Sequence, residues 1–329
     1  MKKYTLFALI LTGVTVASLG ISTLALFNNN QKLAYQVQAG KNEIKVGLFT
    51  KELTVWCADG TDYFTLSIDS DSPDLTVNFE SHFTEYIADG KPFIKSAGKL
   101  TVNFSLQQPI TITAINDCSA FVAKEIHFTG HNTGLTVYGA NGMDGEDGKV
   151  GKAGKNGNTF DGGYYNAGNG SNGENGKDGY APVVCSSLYL NSQTTYSFYS
   201  GNGGNGGKGG DGGSGPSDSW LFFATVVAAN AGNGGQGGNG GNGGAYGGIK
   251  HVYDSEKNEI DFKEKIYFAG FGGEGGKGGK AGTPGTVTNT NVISHNVEKG
   301  SAGADGKDGK NGLDGKDVGN QKSTTSSIK

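Results

Sequence analysis

Histidines and acidic turns are the residues in this sequence whose types could bind a metal ion. His127 and His131 are four residues apart, but in a strand that spacing separates them by about 13 Å, too far to share one ion. Acidic turns such as Asp69-Ser-Asp71 and Asp144-Gly-Glu-Asp147 carry oxygen ligands that suit calcium, although solvated turns are the commoner explanation for such sequences. The sequence therefore predicts no metal site and no cofactor.

Three cysteines, Cys57, Cys118 and Cys185, allow at most one internal disulfide. Cys57 and Cys118 both fall in a strand-rich region, whereas Cys185 lies between glycine-rich stretches. Either Cys57 and Cys118 form a disulfide, or all three are isolated buried thiols that fill space in the core. Both alternatives stay open.

Motifs of catalysis and nucleotide binding are absent from the sequence. No Gly-Lys pair is followed by Ser or Thr, so there is no P-loop, and no His-Glu-x-x-His motif occurs. No nucleophile or acid–base pair stands out, so we expect a protein that is not an enzyme. All 27 basic residues are lysine, and no lysine cluster is interleaved with aromatic residues, which argues against nucleic acid as a partner.

The chain begins with the features of an export signal. Lys2 and Lys3 precede an uncharged stretch over residues 4–27, and Val37-Gln38-Ala39 places small residues at a suitable cleavage position. A helix over residues 4–27 would also span a bilayer core of roughly 30 Å. Residues 1–39 are therefore predicted to be a signal peptide or an uncleaved membrane anchor. In both cases we expect the rest of the protein to be extracellular or on the cell surface, and an uncleaved anchor would make the membrane a partner.

Residues 40–138 are predicted to form an all-β domain. Leu75–Phe79 and Leu100–Phe104 alternate apolar and polar residues, as strands with one buried face do. Leu-Thr-Val recurs at widening intervals, at Leu53, Leu75, Leu100 and Leu135. A regular interval would indicate a β-solenoid, whereas an antiparallel sandwich would produce such strands by propensity alone. The domain is therefore predicted to be a β-solenoid or a sandwich.

Glycine dominates the chain from residue 139 onward, where all but nine of the 60 glycines lie. It falls on every third residue in six runs, numbered here in chain order as Gly139–Gly157, Gly170–Gly179, Gly203–Gly213, Gly234–Gly244, Gly272–Gly279 and Gly300–Gly315. Period three fits a threefold extended helix, and 6 prolines are too few for collagen. Residues 139–318 are therefore predicted to form a polyglycine-II helical bundle, and residues 319–329 a disordered tail.

Aromatic residues are concentrated in the connectors between the runs, where ordinary loops are polar. We expect these clusters either to cap the ends of the bundle or, at one end, to present aromatic side chains to a receptor. The predicted receptor contacts are Trp220, Phe222, Phe223, Tyr196, Phe198 and Tyr199.

Glycine triplets broken by aromatic loops also carry a resemblance to a known family. Repeated Gly-Gly-Asn and Gly-Gly-Lys triplets, as in Gly203–Gly213, resemble the glycine-rich domain of phage long-tail-fibre tip adhesins. Springtail antifreeze proteins share that polyglycine-II architecture. The resemblance covers residues 139–315 and implies a bundle whose loops at one end bind a receptor on a bacterial outer membrane.

The sequence as a whole predicts an exported surface protein that acts by non-catalytic adhesion or display. Its expected partner is a protein or glycan receptor on a host or cell surface. Two alternatives stay open. An ice-binding protein is one, although charged residues such as Lys208, Asp211 and Glu274 between the glycines suit ice poorly. A collagen-like structural fibre is the other.

Overall fold

A computed structural model of the chain describes residues 22–24, 31–57, 64–80, 82–155, 157–158, 166–215, 225–227, 229–245, 247–260, 267–284, 296–298 and 301–315. These residues form β1 (Ser22–Leu24), β2 (Lys32–Val37), β3 (Gly40–Val46), β4 (Glu52–Cys57), β5 (Phe64–Ser70), β6 (Asp74–Phe79), β7 (Glu85–Asp89), β8 (Ile94–Ser96), β9 (Lys99–Phe104), β10 (Pro109–Ile115), β11 (Phe121–Val122), β12 (Glu125–Phe128), β13 (Gly134–Tyr138), β14 (Gly157–Asn158), β15 (Val183–Val184), β16 (Ser187–Tyr189), β17 (Thr195–Tyr199), β18 (Thr225–Val227), β19 (His251–Tyr253), β20 (Tyr267–Phe268) and β21 (Asn296–Glu298).

The regular elements of the described residues are strands. The helical bundle in the predicted fold class is therefore wrong. These residues contain neither a polyglycine-II helical bundle nor a collagen-like helical fold. The predicted N-terminal helix is also wrong where the structure describes it, because Ser22–Leu24 form β1, which pairs with β3. Within the described part of the chain, no helix has the length and apolar character needed to cross a membrane. The rest of residues 1–30 and the predicted tail lie outside the described residues.

Two parallel sheets form the main body of the structure. The seven-stranded sheet has the order β19-β16-β12-β9-β6-β4-β2. The eleven-stranded sheet follows β15-β11-β8-β5-β7-β10-β13-β17-β20, with β3 beside β5 and β1 beside β3. The chain passes repeatedly through the two sheets, in places with two consecutive strands such as β7 and β8 in the eleven-stranded sheet, and every described strand pair in the two sheets is parallel. The antiparallel sandwich predicted as one alternative is therefore wrong. We call one passage through both sheets a coil.

Alternating side chains along each strand build the core between the sheets. Leu75 pairs with Leu100, Val77 with Val102 and Phe79 with Phe104 in the β6–β9 register, and all six side chains are buried. The rings of Phe79 and Phe104 stack with centroids 4.9 Å apart. Each such side chain contributes about 1.5–3 kcal/mol on burial, so these columns hold one coil on the next.

The glycine runs form a slab of two layers beside the coils. Runs 1, 3 and 5 make one layer and runs 2, 4 and 6 the other. Neighbours within a layer are parallel, as where the Gly142 N–H donates to the Asn202 carbonyl oxygen over 2.8 Å. Consecutive runs lie in different layers and are antiparallel, as where the Gly204 N–H donates to the Lys177 carbonyl oxygen over 2.8 Å. Bonds between runs, rather than bonds within a helix, therefore satisfy this backbone.

Glycine is required in the slab because the runs lie too close together for side chains. A Cβ built on Gly238 in run 4 would overlap the carbonyl oxygen of Glu174 in run 2, and a Cβ on Gly237 would overlap the carbonyl oxygen of Gly276 in run 5. Both approaches fall below the 3.0 Å that real Cβ atoms essentially never cross. In runs 3, 4 and 5 the third position of each triplet carries a side chain that points away, as at Gln236, whereas runs 1, 2 and 6 carry side chains at two positions of each triplet.

Coils and slab share one continuous ladder of hydrogen bonds. Runs 1, 3 and 5 follow β13, β17 and β20 almost directly. At this junction the Gly139 N–H donates to the Tyr199 carbonyl oxygen and the Ser200 N–H to the Phe268 carbonyl oxygen, each over 2.8 Å. The aromatic connectors on the coil side therefore do not simply cap the runs, because they supply β15–β17, β19 and β20 to the two sheets.

Candidate functional site

A cleft of about 1280 Å³ lies at the junction between the coils and the slab. We call it the junction cleft. It is surrounded by the end of β10, the last residues of β13, β17 and β20, the start of run 1, the residues just before runs 3 and 5, and the end of run 6. Its walls include Ile115, Asn116, Tyr138, Asn141, Tyr199, Asn202, Phe268, Phe271 and Asp314.

A column of three stacked aromatic rings lines the junction cleft. Parallel pairing of β13, β17 and β20 places Tyr138 beside Tyr199 and Tyr199 beside Phe268. The ring centroids are 5.0 Å apart in the first pair and 4.6 Å apart in the second, with interplanar angles of 14° and 12°. The sheet register therefore fixes these rings in a row at the mouth of the slab.

Exposed apolar side chains converge on this cleft. Ile115 is 38% exposed, Tyr138 38%, Phe268 44% and Phe271 68%, and all four line the cleft. They come from β10, β13, β20 and the residue just before run 5, so the coiling of the chain brings them together. Concave surfaces with clustered exposed apolar groups are typical of sites for ligands or partner proteins.

A ladder of side-chain oxygens carries polar groups into the cleft. Asn141 Oδ1 accepts the Asn202 N–H over 2.8 Å, and Asn202 Oδ1 accepts the Phe271 N–H over 2.9 Å. Asp314 Oδ1 accepts the Gly272 N–H over 2.9 Å. These bonds fix the carbonyl side of each amide and leave the Nδ2 groups of Asn141 and Asn202 able to donate to a ligand.

A strained corner forms one wall of the cleft. Asn116 and Asp117 have φ values of 58° and 59°, in the left-handed region. The Asn116 amide donates to Asp89 Oδ1 over 2.7 Å, and Lys177 Nζ lies 2.7 Å from Asp117 Oδ2. The hydrogen bond to Asp117 raises the pKa of Lys177. The corner is thereby tied to the glycine slab.

Two cysteines lie buried near this corner and along the adjoining strands. Cys118 is a free thiol that donates to the Ile115 carbonyl oxygen over 3.2 Å, so the disulfide with Cys57 that the sequence allowed is not formed. Burial raises the pKa of Cys118 to about 11 and that of Cys185, also a free thiol, to about 12. Neither thiol is activated as a nucleophile.

A smaller cleft of about 470 Å³ lies on the outer face of the seven-stranded sheet. There the ring of His127 stacks on Tyr189 with centroids 4.0 Å apart, and Tyr189 stacks on Tyr253 at 4.8 Å. The His127 Nε2 also bonds to Glu125. None of the exposed large apolar side chains that are found among the described residues lines this cleft. The junction cleft is therefore the better candidate.

The structure divides the six predicted receptor contacts into three groups. Tyr196 and Phe198 point inward from β17 and are 6% and 0% exposed, so both belong to the core. Tyr199, at the end of the same strand, lines the junction cleft. Trp220, Phe222 and Phe223 lie outside the described residues.

Metal-binding clusters were also sought in the described residues. In that part of the chain, no group of three or more His, Cys, Asp and Glu side chains is arranged to hold a metal ion. Of the two histidines with suggestive spacing, His127 belongs to the stacked column on the seven-stranded sheet and His131 lines the smaller cleft.

Comparisons with known proteins add little to this geometry. No family model and no curated protein matches the chain. Among solved structures, the nine polyproline type II helical bundle springtail antifreeze protein from Granisotoma rainieri aligns at 22% identity, covering 47% of this chain and 96% of that chain. The TM-score is 0.09, so this likeness carries no argument about fold or function.

Sequence reasoning missed Tyr138, Phe268 and Phe271 as site residues. That reasoning chose the densest aromatic clusters. Tyr138 directly precedes Gly139, the first glycine of run 1, and Phe271 directly precedes Gly272, the first glycine of run 5. An aromatic residue immediately before a glycine run was the signal that could have found Tyr138 and Phe271, whereas Phe268 follows Tyr267 at the end of β20.

Proposed function

We propose that this chain is an exported protein that acts by non-catalytic adhesion or display, and that it binds a host or cell-surface receptor in the junction cleft. The observation that carries the proposal is the convergence of Ile115, Tyr138, Phe268 and Phe271 on one concave surface. Binding energy in protein interfaces concentrates in such central aromatic anchors. Lys2 and Lys3, which precede the uncharged stretch over residues 4–27, support export.

A cell-binding assay with paired variants tests the proposal. Phe268→Ser combined with Phe271→Ser removes two exposed rings from the cleft, and we expect binding to the cell surface to weaken by about 30-fold or more. Leu48→Ser combined with Phe49→Ser is the matched control, because these side chains are 55% and 67% exposed in the turn after β3. Equal binding by both double variants would refute the assignment of the site.

A further inference from the structure

The chemistry of the junction cleft points to one class of ligand. We infer that it binds a neutral oligosaccharide, an inference that rests on the proposed function and narrows its receptor to a glycan. Three features of the cleft carry it: its charge, the arrangement of its amide groups and the free ring face at the end of its aromatic column.

Charge excludes anionic ligands from this site. Asp314 is the one side chain among the described lining residues that carries a charge at neutral pH, and the lining contains neither lysine nor histidine. A phosphate, a sulfate or an acidic sugar would meet no lysine or histidine among the described lining residues and would face the Asp314 carboxylate. The ligand that this lining complements is therefore uncharged or weakly basic.

Amide and carboxylate groups in the cleft match hydroxyl groups. The Oδ1 atoms of Asn141 and Asn202 are held by backbone N–H groups at 2.8 Å and 2.9 Å, so each amide presents its Nδ2 as a donor in a fixed orientation. Asp314 uses Oδ1 on Gly272 and keeps Oδ2 as an acceptor. A hydroxyl both donates and accepts, so a polyhydroxyl ligand can bond to both kinds of group.

Aromatic faces supply the apolar half of the site. Within the described residues, Tyr199 is covered on both sides by Tyr138 and Phe268, whereas Phe268 ends the column. Phe268 is 44% exposed and the neighbouring Phe271 is 68% exposed. The C–H face of a pyranose ring packs on an exposed aromatic face of this kind, while its rim hydroxyls reach the surrounding polar groups.

An extended peptide fits the same surface less well. Peptides that add to a sheet edge bind through unpaired main-chain groups. Here the N–H groups of Gly270, Phe271 and Gly272 already donate to Gly244, Asn202 and Asp314. Strand addition along this stretch would have to break those bonds.

Calorimetric titration of the whole protein with four neutral hexasaccharides tests the inference. The probes are the β-1,4-linked oligomers of glucose, N-acetylglucosamine and mannose, and the α-1,4-linked oligomer of glucose. We expect at least one to bind with a dissociation constant below about 1 mM. Failure of all four to bind would overturn the inference.

An isosteric variant makes the test specific to the cleft. Asn202→Asp keeps the oxygen that accepts the Phe271 N–H but removes the Nδ2 donor and adds a charge, so sugar binding is expected to weaken about tenfold at unchanged melting temperature. Asn239→Asp is the matched control, because Asn239 Oδ1 likewise accepts a backbone N–H, from Lys310 over 2.9 Å, in the other layer of the slab. Equal weakening by both variants, or by neither, would overturn the inference.

Cell binding separates this inference from the proposed function. If Phe268→Ser combined with Phe271→Ser abolishes cell binding and the sugar that binds in calorimetry competes with it, both stand. If the variant abolishes cell binding but no hexasaccharide competes, the glycan inference falls and the proposed adhesion site stands. If the variant leaves cell binding intact, the proposed site itself falls, and the glycan inference falls with it.

Discussion

Replacing one interior glycine by alanine tests the close packing of the slab directly. A Cβ on Gly238 would overlap the carbonyl oxygen of Glu174, so runs 2 and 4 would have to separate until that distance reached at least 3.0 Å. Two hydrogen bonds flank the clash, from the Gly173 N–H to the Gln236 carbonyl oxygen and from the Gly176 N–H to the Asn239 carbonyl oxygen, each 2.8 Å long. Separation of the runs would stretch both bonds.

The expected loss of stability follows from these contacts. Two backbone hydrogen bonds contribute about 0.5–1.5 kcal/mol each, and overpacking of a close-packed interior costs about 1–3 kcal/mol. Gly238→Ala should therefore lower the free energy of unfolding by roughly 2–6 kcal/mol. For a chain of 329 residues that corresponds to a fall of roughly 3–9 °C in melting temperature.

The melting temperatures of Gly238→Ala and Gln236→Ala, measured by calorimetry, test this packing argument. Gln236 lies in the same run at a position whose side chain points away from the neighbouring runs, and its backbone bond to Asn172 Oδ1 survives the substitution. The same new residue should therefore be nearly neutral at 236 and strongly destabilising at 238. A melting temperature within about 2 °C of the parent for both variants, or equal losses in both, would refute the packing argument.

Four further predictions concern the ladder of side-chain oxygens, the two buried thiols and the asparagines of the slab. Asn233→Ala should destabilise the protein by about 1 kcal/mol in urea titration, because it removes the acceptor of the Ala304 N–H at 2.8 Å, whereas Asn233→Asp keeps that acceptor and should be close to neutral. With pKa values of about 11 for Cys118 and about 12 for Cys185, both thiols should resist alkylation at pH 8 until the protein is unfolded. The pKa values of both thiols in the folded protein lie above the ordinary value of 9.0, so the neutral thiols stabilise the fold. This contribution to the free energy of unfolding is complete below pH 9 and should be lost as the pH rises toward 11 and 12. Urea titration across that pH range measures the loss. Asn175 should resist deamidation in the folded state, as followed by peptide mass spectrometry, because the Gly176 N–H that would attack its side chain is bonded to the Asn239 carbonyl oxygen; equal rates in folded and unfolded protein would contradict this.

Local strand positions could be predicted from the sequence, but strand pairing could not. The alternation of apolar and polar residues predicted strands at Leu75–Phe79 and Leu100–Phe104, and these residues lie in β6 and β9. The same alternation occurs in parallel and antiparallel sheets, so it could not decide between coils and a sandwich. The four Leu-Thr-Val repeats do not all occupy equivalent positions in one sheet. Leu75 pairs with Leu100, but Leu53 pairs with Val77, and Leu135 lies in the other sheet.

The glycine period located the runs but led to the wrong fold class. Period three predicts a polyglycine-II helical bundle that follows the β domain in the chain. The structure instead extends the parallel ladder of the coils into the runs, as at the bond between the Gly139 N–H and the Tyr199 carbonyl oxygen. A single sequence carries no signal for this continuity, because it depends on residues of different coils meeting side by side.

The candidate site was predicted only at Tyr199. Tyr196 and Phe198 were predicted as contacts because aromatic residues cluster there. Both side chains point into the core, because successive side chains of a strand face opposite sides. The residues that share the cleft with Tyr199, such as Ile115 and Phe268, are far from it in the chain and meet through the parallel register. Only the pairing of strands could reveal that neighbourhood.

The constant offset between paired runs has a consequence for how such a protein can change its size. In three successive triplets of run 1, a side-chain oxygen accepts a hydrogen bond from the backbone N–H of the residue 61 positions later. Along run 3 the corresponding bonds come from the residue 69 positions later. Length differences are thus absorbed in the connectors, while insertions within a run must come in threes to keep glycine at the contacts. Duplication of one coil with its two runs would add one ring to the aromatic column, so the junction cleft could lengthen in whole steps, one repeat at a time.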